Sequence, residues 1–300
     1  MYNILFMGTP HIADCVLKFL IKENKYNIVG VVAQPDKPAN RNQQLTPPPT
    51  KVTAIENNIK VFQPEKVKNN KDFLQEISQL NIDFMVVIAY GKILPKSILD
   101  IPKYYPINIH ASLLPKYRGA SPIQFCLLNR EKETGVTIMK MDIGMDTGDM
   151  LLQKKVDISD SDNYSTLEEK LINISNVAIT EFFERFDKNE IIPVVQNHDN
   201  ATYTKIIEKK EGLIDFNEDI TKIYGKICAY SEWPKTYFFI DGKQYNIIKA
   251  NYELTNHSNT NGLIEINKKS MKIYALNGIL EIEQIQPQAK NAMKISDFFN

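Results

Sequence analysis

The sequence has little of what marks a specialised class. It holds three cysteines in 300 residues, Cys15, Cys126 and Cys228, each far from the next. That number and spacing exclude a disulfide framework and the paired ligands of a zinc site, and each thiol reads as a small core filler. Long hydrophobic runs are missing: the longest, around Phe84 to Ala89, is well short of the roughly 20 residues that a membrane span needs. The opening MYNILFMGTP lacks a cationic leader and turns at Gly-Thr-Pro, unlike a signal peptide, so no membrane association and a cytoplasmic location are expected. Excess charge of either sign is absent, with 36 Lys+Arg against 36 Asp+Glu. A polyanionic partner must then be held by a local basic patch. Arginine is scarce, confined to Arg41, Arg118, Arg130 and Arg185. The first turn, MGTPHIA, has one glycine where a dinucleotide fingerprint needs three, and no Walker lysine occurs, which disfavours nicotinamide, flavin and P-loop chemistry.

What is present describes a globular protein of one large or two ordinary domains, with 43% hydrophobic and 24% charged residues. The first half alternates between strand and helix periods, the signature of a parallel sheet covered by helices. Tyr2 to Met7 reads as a strand, Ile12 to Lys22 as a helix and Asn27 to Ala33 as the next strand. The run FMVVIA, Phe84 to Ala89, has the continuous apolarity of a strand buried on both faces, and Asp72 to Leu80 supplies a crossover helix. A long helix follows Ser165, with Leu167, Leu171, Ile174, Ala178, Phe182 and Phe186 on one stripe and Ser165 with Glu168 as a capping box. This places a first domain at 1–189 and a connector at 190–206. Beyond it, short strands are separated by Asp241-Gly242 and Asn277-Gly278, strong hairpin signals. About five antiparallel strands and a helix near Ile220 to Cys228 predict a small barrel of oligonucleotide-binding type at 207–300.

Three polar segments fall where an open α/β sheet builds its site, outside the carboxyl ends of its strands. In PINIHASLLPKYRGASPI a short strand puts Asn108 and His110 two apart and on one side. An amide and an imidazole so placed can both donate to one oxyanion, although a single histidine at a strand end is equally a satisfied polar residue. In MDIGMDTGDM, Asp142, Asp146 and Asp149 lack the regular alternation and closing glutamate of a calcium loop, so no metal site is expected. A bend at Gly144 and Gly148 can aim Asp146 back at His110, or the segment is an ordinary Asp/Gly turn. The third, QPDKPANRNQQLTPPPTK, carries five prolines and the cations Lys37, Arg41 and Lys51. A long loop stiffened this way suits contact with a partner.

Taken together and in this order, FMGTP, QPDKPANR, VVIAYGKILP, INIHASLLPKYRGASPIQ and ETGVTIMKMDIGMDTGDM closely resemble the methionyl-tRNA formyltransferase family. The resemblance runs through most of the chain, including the closing AMKISDFF. It implies an α/β fold: a Rossmann-like formyltransferase domain with a parallel-rich sheet, followed by a small antiparallel OB-like β-barrel domain. It further implies transfer of a formyl group from the co-substrate 10-formyltetrahydrofolate to the amino group of methionine on initiator methionyl-tRNA, without metal, by a monomer. Asn108, His110 and Asp146 match the family's catalytic trio. Ser112, Leu113, Leu114 and Pro115 match its folate-contacting stretch, and the loop bearing Lys37, Arg41 and Lys51 matches its tRNA-contacting insertion. Where the family commonly reads G-R-G followed by lysines, Arg41 stands between Asn40 and Asn42. Lysines and carboxylates also balance in 207–300, so weak, strongly salt-dependent tRNA binding is expected.

Three rivals share parts of this reading. A formyltransferase for an amino sugar or a purine precursor would keep the trio and have no use for the proline-rich loop. A formyltetrahydrofolate hydrolase would release formate without an acceptor. An RNA-binding relic would bind tRNA and transfer nothing.

Overall fold

A computed structural model of the chain describes residues 1–39, 44–267 and 270–298. Arg41, with Asn40, Asn42 and Gln43, and the Lys268-Lys269 pair lie outside the described residues. The chain forms two compact units. The first is Met1–Ala120, Thr134–Val156 and Glu169–Tyr203, and the second is Ser121–Glu133, Asp157–Glu168 and Thr204–Asn300.

The first unit opens as the periodicity requires, with β1 (Tyr2–Gly8), α1 (His11–Glu23) and β2 (Tyr26–Val32). Ile12, Val16, Leu17 and Leu20 form the buried stripe of α1, which ends where Asn24 takes the left-handed conformation that asparagine tolerates. The proline-rich segment is not a plain loop. β3 (Lys37–Ala39) and β4 (Gln44–Thr46) pair antiparallel, and α2 (Pro49–Glu56) begins on proline, whose fixed φ suits a first helical turn.

There follow β5 (Val61–Phe62), α3 (Lys71–Ser78) and β6 (Phe84–Ile88), all five residues of β6 being buried as its continuous apolarity predicts. Next come α4 (Lys96–Leu99), β7 (Tyr105–His110), the two-residue β8 (Arg118–Gly119), α5 (Pro122–Leu128), β9 (Glu133–Lys140) and β10 (Met150–Asp157). The sheet order is β10-β9-β7-β6-β1-β2-β5. Pairings from β5 through β7 are parallel, and β7 meets β9 antiparallel. Winding reverses between β1 and β6, which opens a crevice at the carboxyl ends of these strands.

α6 (Tyr164–Asp187) carries the predicted stripe, with Leu167, Leu171, Ala178 and Phe182 fully buried. Its aromatic end packs on β6: the rings of Phe182, Phe183 and Phe186 lie 5.9, 5.2 and 4.9 Å from that of Phe84, all edge-on. The cap differs from expectation. Asn163 and Thr166 form the reciprocal box, Thr166 N donating to Asn163 Oδ1 and Asn163 N to Thr166 Oγ1. The Ser165 hydroxyl instead donates to Glu232. Two overlapping box patterns compete here, with asparagine and serine about equally favoured at Ncap, and the hydroxyl of Ser165 is taken by Glu232.

Close to the end of the first unit, β11 (Tyr203–Thr204) pairs with β8. In the second unit, α5 packs against α7 (Ile220–Ala229). The remaining elements are β12 (Thr236–Ile240), β13 (Lys243–Leu254), β14 (Ile264–Ile266), β15 (Met271–Ala275), β16 (Gly278–Pro287), β17 (Met293–Lys294) and α8 (Ile295–Phe298). They form an antiparallel sheet in the order β12-β13-β16-β15-β14, with β17 added beside β16. Asp241 and Gly242 both take positive φ, 48° and 75°, as a two-residue hairpin turn requires. Register shifts in β13 around Lys249 bend the strand, so the sheet curls as an OB-like half-barrel around Ile223, Ile247, Ile273, Leu280 and Ile282.

Candidate active site

β7 ends at the carboxyl edge of the sheet and delivers Asn108 and His110, both largely buried, to the same side. His110 Nε2 lies 2.9 Å from the Tyr117 carbonyl oxygen. A carbonyl can only accept, so Nε2 carries a proton and Nδ1 is the nitrogen left to face the site. Nδ1 lies 3.7 Å from Asp146 Oδ2, and Asn108 Nδ2 lies 3.4 Å from Asp146 Oδ1. The amide, the ring and the carboxylate therefore converge.

Asp146 is held there by its surroundings. Its φ of 55° puts it in the left-handed region, a conformation that persists only where neighbours determine it. Oδ2 accepts the Gly119 N–H at 2.8 Å. The turn around it is closed by Asp142, whose Oδ1 accepts from Gly144 N at 3.0 Å and Thr147 Oγ1 at 2.7 Å. Gly148 admits no side chain, because a Cβ there would stand 1.8 Å from the Lys140 carbonyl oxygen. Of the three acids in this segment, Asp146 alone reaches the trio, and Asp142 builds the turn. Among the described residues, no group of three or more His, Cys, Asp or Glu is arranged to hold a metal ion.

The Ser112 to Pro115 stretch follows directly and is pinned to β9. The buried Thr137 hydroxyl donates to Ser112 O at 2.7 Å and accepts from Leu114 N at 3.1 Å and from Gln153 Nε2 at 2.9 Å. Gln153 also donates to Leu114 O at 2.9 Å. With every polar valence of Thr137 used, this loop is a preformed wall. Leu113 and Pro115 are partly exposed on it, and Ser112 and Leu114 are buried.

The crevice at the switch between β1 and β6 is tied by Gln34, whose amide donates to Tyr90 O at 2.9 Å. Burial pushes the Tyr90 phenol up to about 12, so it stays neutral. The cations of the proline-rich segment are placed differently from one another. Lys37 is exposed on β3. Lys51, in the first turn of α2, is paired with Asp36 at 2.8 Å, and the hydrogen bond from Gln63 together with this ammonium holds Asp36 below the usual carboxylate range. Lys92 donates to the carbonyls of Pro64 and Glu65, and burial, with Lys37 nearby, lowers its affinity for a proton.

Sequence reasoning missed Gln196, His198 and Tyr203, which sit in the segment read as a connector. Gln196 donates to Asp146 O at 2.9 Å and Gly148 O at 2.7 Å, and accepts from the buried Arg118. Arg118 also donates to His198 Nδ1 and Tyr203 Oη. Lost periodicity was the available signal, and it also describes a segment that follows the surface of a site.

Comparison with known proteins supplies the family. The profile described as "Formyl transferase" matches residues 2–182, and that described as "Formyl transferase, C-terminal domain" matches 206–300. A methionyl-tRNA formyltransferase of Caldicellulosiruptor saccharolyticus is 42% identical over 301 residues, covering 99% of this chain and 96% of that protein. One of Caldanaerobacter subterraneus subsp. tengcongensis is 42% identical over 298 residues, with the same coverage of both. Among solved structures, a methionyl-tRNA formyltransferase from Clostridium thermocellum aligns with a TM-score of 0.56 at 18% identity, over 84% of this chain and 93% of that one. The sugar 3N-formyl transferase WlaRD, determined in the presence of dTDP and 5-N-formyl-THF, aligns with a TM-score of 0.67 at 23% identity, over 97% and 99%. These structural likenesses speak for the fold, which enzymes with different acceptors share. On full-length sequence identity, the chain belongs to the methionyl-tRNA formyltransferase family.

Proposed function

We propose that the chain transfers the formyl group of 10-formyltetrahydrofolate to the free amino group of methionine on initiator methionyl-tRNA, and that Asn108, His110 and Asp146 carry the chemistry. The convergence of an amide, an imidazole and a carboxylate at the end of β7 carries this reading. Attack of the amine on the formyl carbon pushes the carbonyl electrons onto oxygen. The Asn108 amide and the Nδ1–H of protonated His110 are two donors positioned for that oxyanion. Asp146 faces the same nitrogen and takes up, through a water, the proton that the attacking amine loses. Collapse of the tetrahedral species returns the electrons to the carbonyl and expels N10 of the folate, which receives the proton that Asp146 took from the amine. No covalent bond to the enzyme is needed.

In this reading Ser112, Leu113, Leu114 and Pro115 contact the folate, their loop being fixed by Thr137 and Gln153. Arg41, Lys37 and Lys51 serve the tRNA. Exposed Lys37 can meet a phosphate directly, whereas Lys51 shapes the hairpin through Asp36 and reaches RNA only by leaving that pair. Residues 1–189 act as the catalytic domain, 190–206 as a connector that also braces the site, and 207–300 as the OB-like domain, in a cytoplasmic monomer without metal. Among the described residues, no helix is long and apolar enough to cross a membrane. The test is incubation with 10-formyltetrahydrofolate and charged initiator tRNA. Formylmethionine on the tRNA supports the reading. Formylation of an amino-sugar nucleotide but not of methionyl-tRNA, or formate release that needs no acceptor, replaces it with a rival.

A further inference from the structure

We infer that Gln196 is a positioning residue for Asp146, and that buried Arg118 fixes the orientation of its amide. Gln196 is 2% exposed, and the two ends of its amide are bonded on opposite sides. Its Oε1 accepts from Arg118 Nε at 3.1 Å and Nη2 at 2.6 Å. A guanidinium can only donate, so Nε2 must face the other way, and there it donates to the carbonyl oxygens of Asp146 and Gly148, at 2.9 and 2.7 Å. One of the two bonds is made to the residue whose backbone is strained at φ 55°, and the other to the carbonyl two residues further on.

Arg118 is itself fully buried and also donates to His198 Nδ1, at 3.2 Å from both Nη1 and Nη2, and to Tyr203 Oη at 3.3 Å from Nη1. The next residue, Gly119, donates its N–H to the Asp146 carboxylate. One short strand, β8, therefore controls Asp146 twice: through Gly119 at the side chain and through Arg118 and Gln196 at the backbone. Gln196 meets Asp146 at its backbone and Arg118 meets Gln196, so the influence inferred for both passes through the carboxylate. Misplacing a reacting group by about 1 Å costs on the order of 10²-fold in rate.

This inference rests on the catalytic role proposed for Asp146, and its test separates the two. Gln196→Glu keeps the shape and the partnership with Arg118 while replacing the NH2 group, which supplies both N–H donors, by one carboxylate oxygen that repels the Asp146 and Gly148 carbonyls. We expect kcat to fall about 10- to 100-fold, as for other residues that orient a reactive group, with KM for folate and for tRNA changed less than about twofold. Gln196→Asn, which retains both kinds of polar atom on a shorter stem, should lose less. The same Gln196→Glu change in an Asp146→Ala background should lower kcat no further. An unchanged kcat, or an equal loss in both backgrounds, would overturn the inference. Amide hydrogen exchange gives a readout independent of turnover: in Gln196→Glu and in Arg118→Lys the amides of 146–150 should exchange faster while those of β6 and β7 do not. Uniform acceleration across the sheet, or none in the turn, would assign both residues a purely structural role. If Asp146→Ala itself retains full activity while the exchange pattern holds, the catalytic role of Asp146 fails and the positioning stands.

Discussion

The two sheets of this molecule bury their strands in opposite ways. In the first unit, β6 is apolar at all five positions, so polar side chains are expelled from the sheet and gather at its carboxyl edge. In the second unit, β16 reads buried, intermediate, buried, exposed along its first residues, and polar groups are spread over one face. The first arrangement concentrates chemistry at a line of loop residues beyond the strands. The second yields a broad surface with no such focus, as suits contact with a large ligand better than catalysis.

That contrast can be broken at either end. The largest effect is expected at Phe84, fully buried beneath six aromatic rings at 4.9 to 6.4 Å, those of Tyr2, Tyr104, Tyr105, Phe182, Phe183 and Phe186. Phe84→Ala should destabilise the protein by about 3–5 kcal/mol in urea unfolding. At the sheet edge the expected loss is in rate and not in stability. Asn108→Ala and His110→Ala should each lower turnover by about 10²–10³, roughly 3–4 kcal/mol, with an unchanged unfolding midpoint. Near-normal single-turnover rates in either would remove its assigned role. In the curled sheet, Ile273→Val deletes one methylene from a filled core and should cost about 0.5–1.5 kcal/mol.

Smaller effects sharpen the surface side of the comparison. Lys37→Ala should weaken tRNA binding uniformly and reduce the slope of log affinity against log salt by about 1. A slope identical to wild type would show that Lys37 meets no phosphate. The exposed Glu281, next to the buried Ile282 on β16, should tolerate alanine within about 0.5 kcal/mol. A larger loss there would mean that the alternation does not describe the packing.

Much of this was legible before any coordinates, because period and apolarity are local properties of the chain. β1, α1, β2, β6 and the hairpin at Asp241-Gly242 follow from them. Asn108 and His110 were legible as neighbours, since two residues apart on one strand share a face. Asp146 pointed at them only through its flanking glycines and the family resemblance, and its partners Gly119 and Gln196 were invisible, being joined by distances in sequence that no local pattern spans. The paired strands inside the proline-rich segment were masked by Pro38, which reads as a breaker yet is accepted in an outlying strand. The cap of α6 was misplaced because two overlapping patterns satisfy one rule.

The crowding at Gly148 has a practical consequence for redesign. With a neighbouring carbonyl oxygen occupying the place of any first side-chain atom, a library that randomises this turn to recruit new acceptor amines will return glycine at this codon or an unfolded loop. Diversity is better spent at Ile143 and Met145 in the same turn, which are 74% and 51% exposed.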